Sequence, residues 1–322
     1  MPLSIPSPEW SFVDLGPFRI HAYALCILAG IVLATLITSR RLSKRGGEPG
    51  VVLDIILWAV PIGIIGARIY HVLTHPGDYF YDGADLLRTL YIWEGGNAIF
   101  GALLGGAVGA WIGCRQTGIR FWSFADALAP AMLIAQATGR IGNWFNAELF
   151  GTPTTLPWGL EIATTNPAFP AGLPEGTLFH PTFLYEILWN LLGVLVILAL
   201  EKRFNLRWGK AFGVYLIWYG IGRTVFESIR VDPSEIFFGL RTNVWAALLA
   251  VLVGVLIVLI QRTEHPGLEV GVYVTGREWK GPDAEVEFED NDSDPQGTDG
   301  IDADSSTGPR DATATSNGGS RL

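Results

Sequence analysis

The run Leu191-Leu192-Gly193-Val194-Leu195-Val196-Ile197-Leu198-Ala199-Leu200 contains no charged and no polar side chain. Val251-Leu252-Val253-Gly254-Val255-Leu256-Ile257-Val258-Leu259-Ile260 has the same character. A helix needs about 20 largely apolar residues to cross roughly 30 Å of hydrocarbon. Working outward from these two cores, similar apolar stretches recur and predict seven transmembrane helices, over residues 20–38, 51–73, 98–114, 122–140, 182–200, 211–229 and 242–260. The expected fold is all-α, a polytopic membrane bundle. Asp54, Arg68 and Asp126 lie within or beside the second and fourth stretches.

Composition agrees. Only 16% of the 322 residues are charged, against about a quarter in a soluble domain. The formal net charge of −9 is concentrated at one end: from Thr263 onward there are 14 Asp/Glu and four Lys/Arg, while the first 262 residues hold 17 acids and 18 bases. The body is therefore nearly neutral, which excludes a nucleic-acid binder needing a basic face. Cys26 and Cys114 both sit in apolar runs and offer no disulfide framework. The segment from 263 to 322, rich in Asp, Gly, Ser and Thr, has little apolar surface to bury and is expected to be a disordered acidic tail. Within it, the alternation of Val270, Val272 and Val274 permits a short strand.

Basic residues set the orientation. Arg40, Arg41, Lys44 and Arg45 follow the first span, Arg115 and Arg120 the third, and Lys202, Arg203, Arg207 and Lys210 the fifth. These connections must share a side, expected to be cytoplasmic. The long connection over 143–181 has no Lys or Arg and belongs outside, over the cavity, with the amino terminus. The carboxyl terminus is then cytoplasmic. The first span fits a signal anchor, because no basic region precedes it. Gly101, Gly105, Gly109 and Gly113 recur every fourth residue and form a smooth ridge for close helix packing.

An ionised side chain in the bilayer is expensive unless it faces protein or water. Arg68, Arg140, Arg223, Glu227, His180, Tyr185 and Glu186 all fall near the predicted outer ends of spans. Arg223 and Glu227, four apart, also suit a simple intrahelical pair, Arg230 suits an interfacial anchor, and Arg140 with Asn143 suits closure of a helix end. Asp54 and Asp126 suit helix starts near the cytoplasmic face. Several guanidiniums gathered on one side nevertheless repel one another and need acids or an anionic ligand. Arginine's planar fork of donors suits phosphate, so an outward-facing cavity binding a phospholipid headgroup is expected. His21, His71, His75, His180 and His265 lack zinc-ligand spacing, and there is no phosphate loop or nucleophile elbow. No metal and no cofactor are expected.

The stretch Gly139-Arg140-Ile141-Gly142-Asn143-Trp144-Phe145-Asn146-Ala147-Glu148-Leu149-Phe150-Gly151 resembles the signature of the prolipoprotein diacylglyceryl transferase family, G-R-x-G-N-F-x-N-x-E-x-x-G. Trp93-Glu94-Gly95-Gly96, His180 through Glu186, and Tyr219-Gly220 through Arg223, Glu227 and Arg230 follow in the family's order. His21-Ala22-Tyr23-Ala24-Leu25 resembles its W-Y-G-L. The likeness covers roughly residues 15 to 260. It implies a bacterial inner-membrane enzyme with seven spans and an extracytoplasmic active site. The implied reaction moves the diacylglyceryl group of phosphatidylglycerol onto the lipobox cysteine thiol of a prolipoprotein, with glycerol 1-phosphate leaving. By motif, Arg140, Arg223, Glu148 and Tyr23 become the expected catalytic residues. Asn143, Asn146, Gly151, Tyr219, Glu227, Arg68 and His180, with Arg140, become the expected substrate-binding set.

The chemistry fits these residue types. Fixed guanidiniums stabilise charge building on a departing phosphate, and nearby cations or a base raise the thiolate fraction of a thiol with pKa near ~8.5. One position departs from the family. After W-x-G-G the family usually continues to a histidine, proposed there as thiol activator, whereas Phe100 stands here and cannot accept a proton. Glu148, Tyr23 and His180 are the alternative groups. A lipid or small-anion transporter is the competing class, but it would show repeated halves and charges spread through the membrane depth.

Overall fold

The computed structural model describes residues 4–16, 18–96 and 98–281. It is mainly helical, in the chain order β1 (Phe12–Leu15), β2 (Phe18–His21), α1 (Ala22–Ser43), α2 (Val51–Thr74), α3 (Ile99–Thr117), α4 (Phe121–Phe145), β3 (Pro153–Thr154), β4 (Leu160–Glu161), β5 (Leu178–Phe179), α5 (Thr182–Phe204), α6 (Lys210–Ile229), β6 (Ile236–Phe237), β7 (Leu240–Arg241) and α7 (Thr242–Glu264). Each expected span falls on one α-helix, except that the first opens with Ile20 and His21 in β2 and the third with Ala98 just before α3, and most of the helices run further at their carboxyl ends. By length and composition, α1, α2, α5 and α7 are apolar enough to cross a membrane. Glycine dilutes α3, and α4 and α6 carry the polar groups of the interior. Leu57, Leu104 and Leu195 stay largely exposed along their helices, the apolar outer surface of a multi-pass membrane protein.

Helix α4 is central. It buries a line of small residues, including Ala127, Ala129, Ala131 and Ala137, which lets its neighbours approach. Gly30 of α1 sits on α4 so closely that a Cβ there would come 3.1 Å from the Ala135 carbonyl oxygen. The α3 glycine ridge packs against α2 as expected: a Cβ on Gly105 or Gly109 would strike the carbonyl oxygens of Ile62 or Trp58, and on Gly113 it would lie 2.7 Å from the Ile55 Cα. Helices α5 and α6 are clasped by two stacked indoles, each N–H reaching across. Trp189 Nε1 donates to the Trp218 carbonyl at 3.2 Å and Trp218 Nε1 to the Trp189 carbonyl at 3.1 Å. Gly222 has no room for a Cβ beside the Trp189 ring, so the clasp fixes the turn that carries Arg223.

The three basic connections meet at one end of the bundle. Glu201, near the end of α5, receives Arg41 at 2.6 Å and Arg45 at 2.5 Å from the end of α1, and Arg207 at 3.1 Å. Asp126 satisfies a helix start, but that of α6 rather than its own. Its carboxylate accepts from the Gly209 N–H at 2.8 Å and the Phe212 N–H at 3.0 Å. The chain after α7 does not leave the body at residue 263. It turns back along the α3–α4 link, where the Arg120 N–H donates to the Val272 carbonyl and the Val274 N–H to the Gly118 carbonyl, both at 2.8 Å. Val272 is buried there, the use its alternating pattern finds. The rest of the expected tail, from 282, lies outside the described residues.

The all-α expectation is corrected by three small antiparallel sheets: the hairpins β1–β2 and β6–β7, and a three-stranded sheet in the order β3-β5-β4. The last organises the 143–181 connection around its own core of Phe150, Leu160, Ile162 and Phe179, to which Ile5 adds a parallel bridge with Leu160. Its strands are two residues long, too short for an alternating pattern to stand out in the sequence.

Candidate active site

The end of the bundle opposite the basic connections carries the polar cluster. Arg140, on the last turns of α4, reaches across to Glu186 near the start of α5, with Nη2 to Oε2 at 2.6 Å. Its Nη1 donates to Asn143 Oδ1 at 3.2 Å, one turn on. Asn143 passes the link forward, its Nδ2 donating to Glu148 Oε1 at 2.9 Å, and Asn146 Nδ2 donates to the same oxygen at 3.2 Å. Four side chains of the signature therefore form one hydrogen-bonded chain. The loop holding Glu148 is strained, with Ala147 and Leu149 on either side at φ of 47° and 58°. Non-glycine residues are rare in that region. Asn166 Nδ2, donating to the Ala147 carbonyl at 3.0 Å, and the Thr182 hydroxyl, donating to the Leu149 carbonyl, hold it there.

Helix α6 supplies the second half. Glu227, fully buried, receives Arg223 at 3.0 Å and Arg230 at 3.5 Å on Oε2, and Arg241 at 3.0 Å on Oε1. Asn243 Nδ2 donates to Oε1 at 2.9 Å. Arg230 is no interfacial anchor: it is buried, and Asp232 takes its Nε at 2.7 Å. Burial alone would raise the Asp232 carboxyl. The hydrogen bond from Arg230 and the charges of Arg230 and Arg241 outweigh it and hold Asp232 below the usual carboxylate range. Glu186 lies within electrostatic reach of Arg140, Arg223, Glu227 and Arg230, and Arg140 of Arg223 and Arg230, so the two halves make one cluster. Acids supply the balance the sequence argument required: Glu148, Glu186, Glu227 and Asp232 against Arg140, Arg223, Arg230 and Arg241.

The four arginines are not equivalent. Arg230 and Arg241 give their donors to Glu227, Asp232 and the carbonyls of Glu227, Arg230 and Asp232. Arg223 gives only Nη2, to Glu227, and Arg140 only its two terminal nitrogens. Among the described residues, Arg223 Nε and Nη1 and Arg140 Nε have no partner, and both side chains keep 15–19% exposure. These two guanidiniums are locked in direction and still have donors to offer.

Other expected site residues arrange around this core. Tyr23 of α1 lies against Gly142, where a Cβ would come 2.6 Å from its ring. Tyr219 stacks along Tyr215 of the same helix and is within electrostatic reach of Arg140. Gly151 is a crossing point. Its N–H donates to the His180 carbonyl at 2.9 Å, and a Cβ would lie 2.8 Å from that of His180 and 3.1 Å from the Ile229 carbonyl oxygen. It thereby stitches the signature to α5 and α6. His180 Nδ1 lies 3.1 Å from the Tyr185 hydroxyl, which accepts from Trp158 Nε1 at 3.0 Å.

Arg68 is not brought into the cluster's bonds. Its donors are spent on the carbonyls of Arg88, Thr89, Gly95 and Gly96, so it clamps the α2–α3 connection. Sequence reasoning missed Glu186 as Arg140's partner, and missed Arg241, Asn243 and Asp232 altogether. Glu186 was visible as a lone acid opening an apolar run. The others sit in or beside a short hairpin that had no signal of its own.

Comparison with known proteins shows the family. Residues 11–260 match the model of the family described as prolipoprotein diacylglyceryl transferase. The phosphatidylglycerol–prolipoprotein diacylglyceryl transferase of Leifsonia xyli subsp. xyli is 64% identical over 296 residues, 89% of each chain. The enzyme numbered 2 of that name in Streptomyces coelicolor is 48% identical over 265 residues, 82% of this chain and 83% of its own. That of Bifidobacterium longum strain DJO10A is 46% identical over 270 residues, 80% of this chain and 85% of its own. The chain belongs to the prolipoprotein diacylglyceryl transferase family. It is a transferase. The hydrogen-bonded run from Arg140 to Glu148 lies in the stretch that resembles the family signature, within the matched residues. Phe100, where the resemblance led to a histidine being expected, packs its ring 6.1 Å from that of Tyr70 and supplies no proton acceptor.

Proposed function

We propose that this chain transfers the diacylglyceryl group of phosphatidylglycerol to the lipobox cysteine thiol of prolipoproteins. The names of the relatives at 46–64% identity support the substrates. In the reaction the bond between the diacylglyceryl C3 and its phosphate oxygen breaks, and a carbon–sulfur thioether bond forms. The phosphate leaves on the other glycerol as glycerol 1-phosphate, and the thiol proton passes to a base. Arg140 and Arg223 hold the phosphate with their unspent donors, where bidentate geometry is strongest. Glu186 with Asn143, and Glu227, keep the two guanidiniums pointed before substrate arrives, so no reorganisation is needed as charge develops. Glu148, tied to Asn143 and Asn146, orients the headgroup side, and Tyr23 borders it. Glu148, Tyr23 and His180 remain the groups able to take the proton in place of the family's histidine.

All seven helices cross the bacterial inner membrane in this reading. The amino terminus and the 143–181 sheet region lie outside, and the basic connections lie in the cytoplasm. Residues 1–262 form the catalytic domain and 263–322 the cytoplasmic extension. The observation that carries the proposal is the pair of half-buried, pre-oriented arginines with free donors, Arg140 held by Glu186 and Asn143 and Arg223 by Glu227. Reconstitution with phosphatidylglycerol and a lipobox peptide tests it: the peptide should gain one diacylglyceryl unit in mass. An unchanged peptide under conditions in which a known member of the family is active would reject the function.

A further inference from the structure

At the end of the bundle away from the arginine–carboxylate cluster, a cavity of about 470 Å³ opens beside the α3–α4 link. Its walls include Trp111, Trp122 and Trp208, and its charged lining is Arg115, Arg120 and Arg277, with no carboxylate among the lining residues. Arg277 fixes its position by donating to the carbonyls of Arg115 at 2.5 Å and Gln116 at 2.6 Å, and Arg120 donates to that of Gly271 at 2.6 Å. None of the three forms an ion pair among the described residues. Arg120 lies over the Trp208 ring at 4.6 Å and Arg115 beside that of Trp111 at 5.3 Å. Arg115 makes no side-chain hydrogen bond to the described protein, so all its donors are free.

We infer that this cavity binds one anionic phospholipid from the leaflet against the basic end of the bundle. Two properties coincide there. The walls are apolar indole faces at the level where helices end, the depth at which tryptophan meets the headgroup boundary. The charge is of one sign and uncompensated, and basic pockets between spans on that side attract anionic headgroups. A soluble anion would leave the indole walls unused, and a neutral lipid would leave three guanidiniums unpaired. Arg115 takes the phosphate, and the acyl chain lies along Trp111 and Trp122. The site is independent of the transfer reaction and does not rest on the function proposed above.

The full chain in neutral detergent, titrated with phosphatidylserine, phosphatidylcholine or inorganic phosphate, tests this by native mass spectrometry and thermal unfolding. Phosphatidylserine is chosen because it lacks the glycerol headgroup of the proposed donor lipid, and binding at the other end contributes equally to every variant. Wild type should retain one more phosphatidylserine than Arg115→Glu. The affinity at this site should fall roughly tenfold in Arg115→Glu and recover in Arg115→Lys. Should Arg115→Glu fail to fold, Arg115→Gln makes the same comparison without reversing charge. Equal retention by wild type and the charge-removing variant, or equal binding of phosphatidylcholine, overturns the proposal. A full stabilising effect from inorganic phosphate alone also overturns it, by making this a soluble-anion site.

Discussion

Glu227 is the residue on which the α6 half of the cluster turns. Its two oxygens meet three guanidiniums and one amide, and removing one partner of a buried pair leaves an uncompensated charge, at a cost of about 3–5 kcal/mol when no other partner remains. Arg223 and Arg230 do remain when Arg241 is lost, so the penalty should be smaller and should appear mainly in how Arg223 is aimed. Arg241→Ala is expected to lower diacylglyceryl transfer about tenfold with at most a modest loss of thermal stability. Arg241→Lys should recover only part, because a lysine cannot serve Glu227 and Asp232 at once. Kinetic and unfolding assays on both variants check this. Asp232 gives a pH dependence of stability. Its folded value is depressed, so its contribution is present above the unfolded carboxylate value, near ~3.9, and is lost as pH falls through the folded value. Stability should therefore fall more steeply toward acid in wild type than in Asp232→Asn, and unfolding midpoints from about pH 5 down to about pH 2 measure it.

At the scale of elements, the glycines decide which helices can touch. Gly105 faces α2 with no space for a methyl group beside the Ile62 carbonyl oxygen, whereas a Cβ on its neighbour Gly106 would meet only the Ala59 carbonyl oxygen at 3.8 Å. Gly105→Ala should destabilise by about 1–3 kcal/mol through forced backbone separation. Gly106→Ala should be neutral or slightly stabilising, since alanine favours a helix over glycine by about 1 kcal/mol. Thermal unfolding of the two variants side by side distinguishes them. This ridge was legible in the sequence, as were the helices, because a run such as Val251–Ile260 has no other use in so weakly charged a chain. The signature was legible too, since Arg140, Asn143 and Glu148 carry their spacing with them. Pairings between elements were not. That Asp126 would cap α6, or that Arg140 would meet Glu186, depends on which helices become neighbours, and no spacing along one helix encodes it. The two-residue strands escaped because their hydrogen bonds, not their side chains, define them.

Across the whole molecule the two ends divide the charges. One gathers Arg41, Arg45 and Arg207 on Glu201, and the other gathers Arg140, Arg223, Arg230 and Arg241 on Glu186, Glu227 and Asp232. The proposed orientation puts these ends on opposite sides of the membrane. With Cys26 and Cys114 replaced by alanine, a cysteine at exposed Thr155 should react with an impermeant maleimide from outside intact cells. One at exposed Lys202 should react only after the membrane is opened; the reverse pattern would invert the topology. The central claim concerns the two arginines with donors left to give, and its most direct measurement is diacylglyceryl transfer to a lipobox peptide by folded Arg140→Ala and Arg223→Ala. Near-complete loss in each, at saturating phosphatidylglycerol, is the expected result. Wild-type transfer by either variant would contradict it.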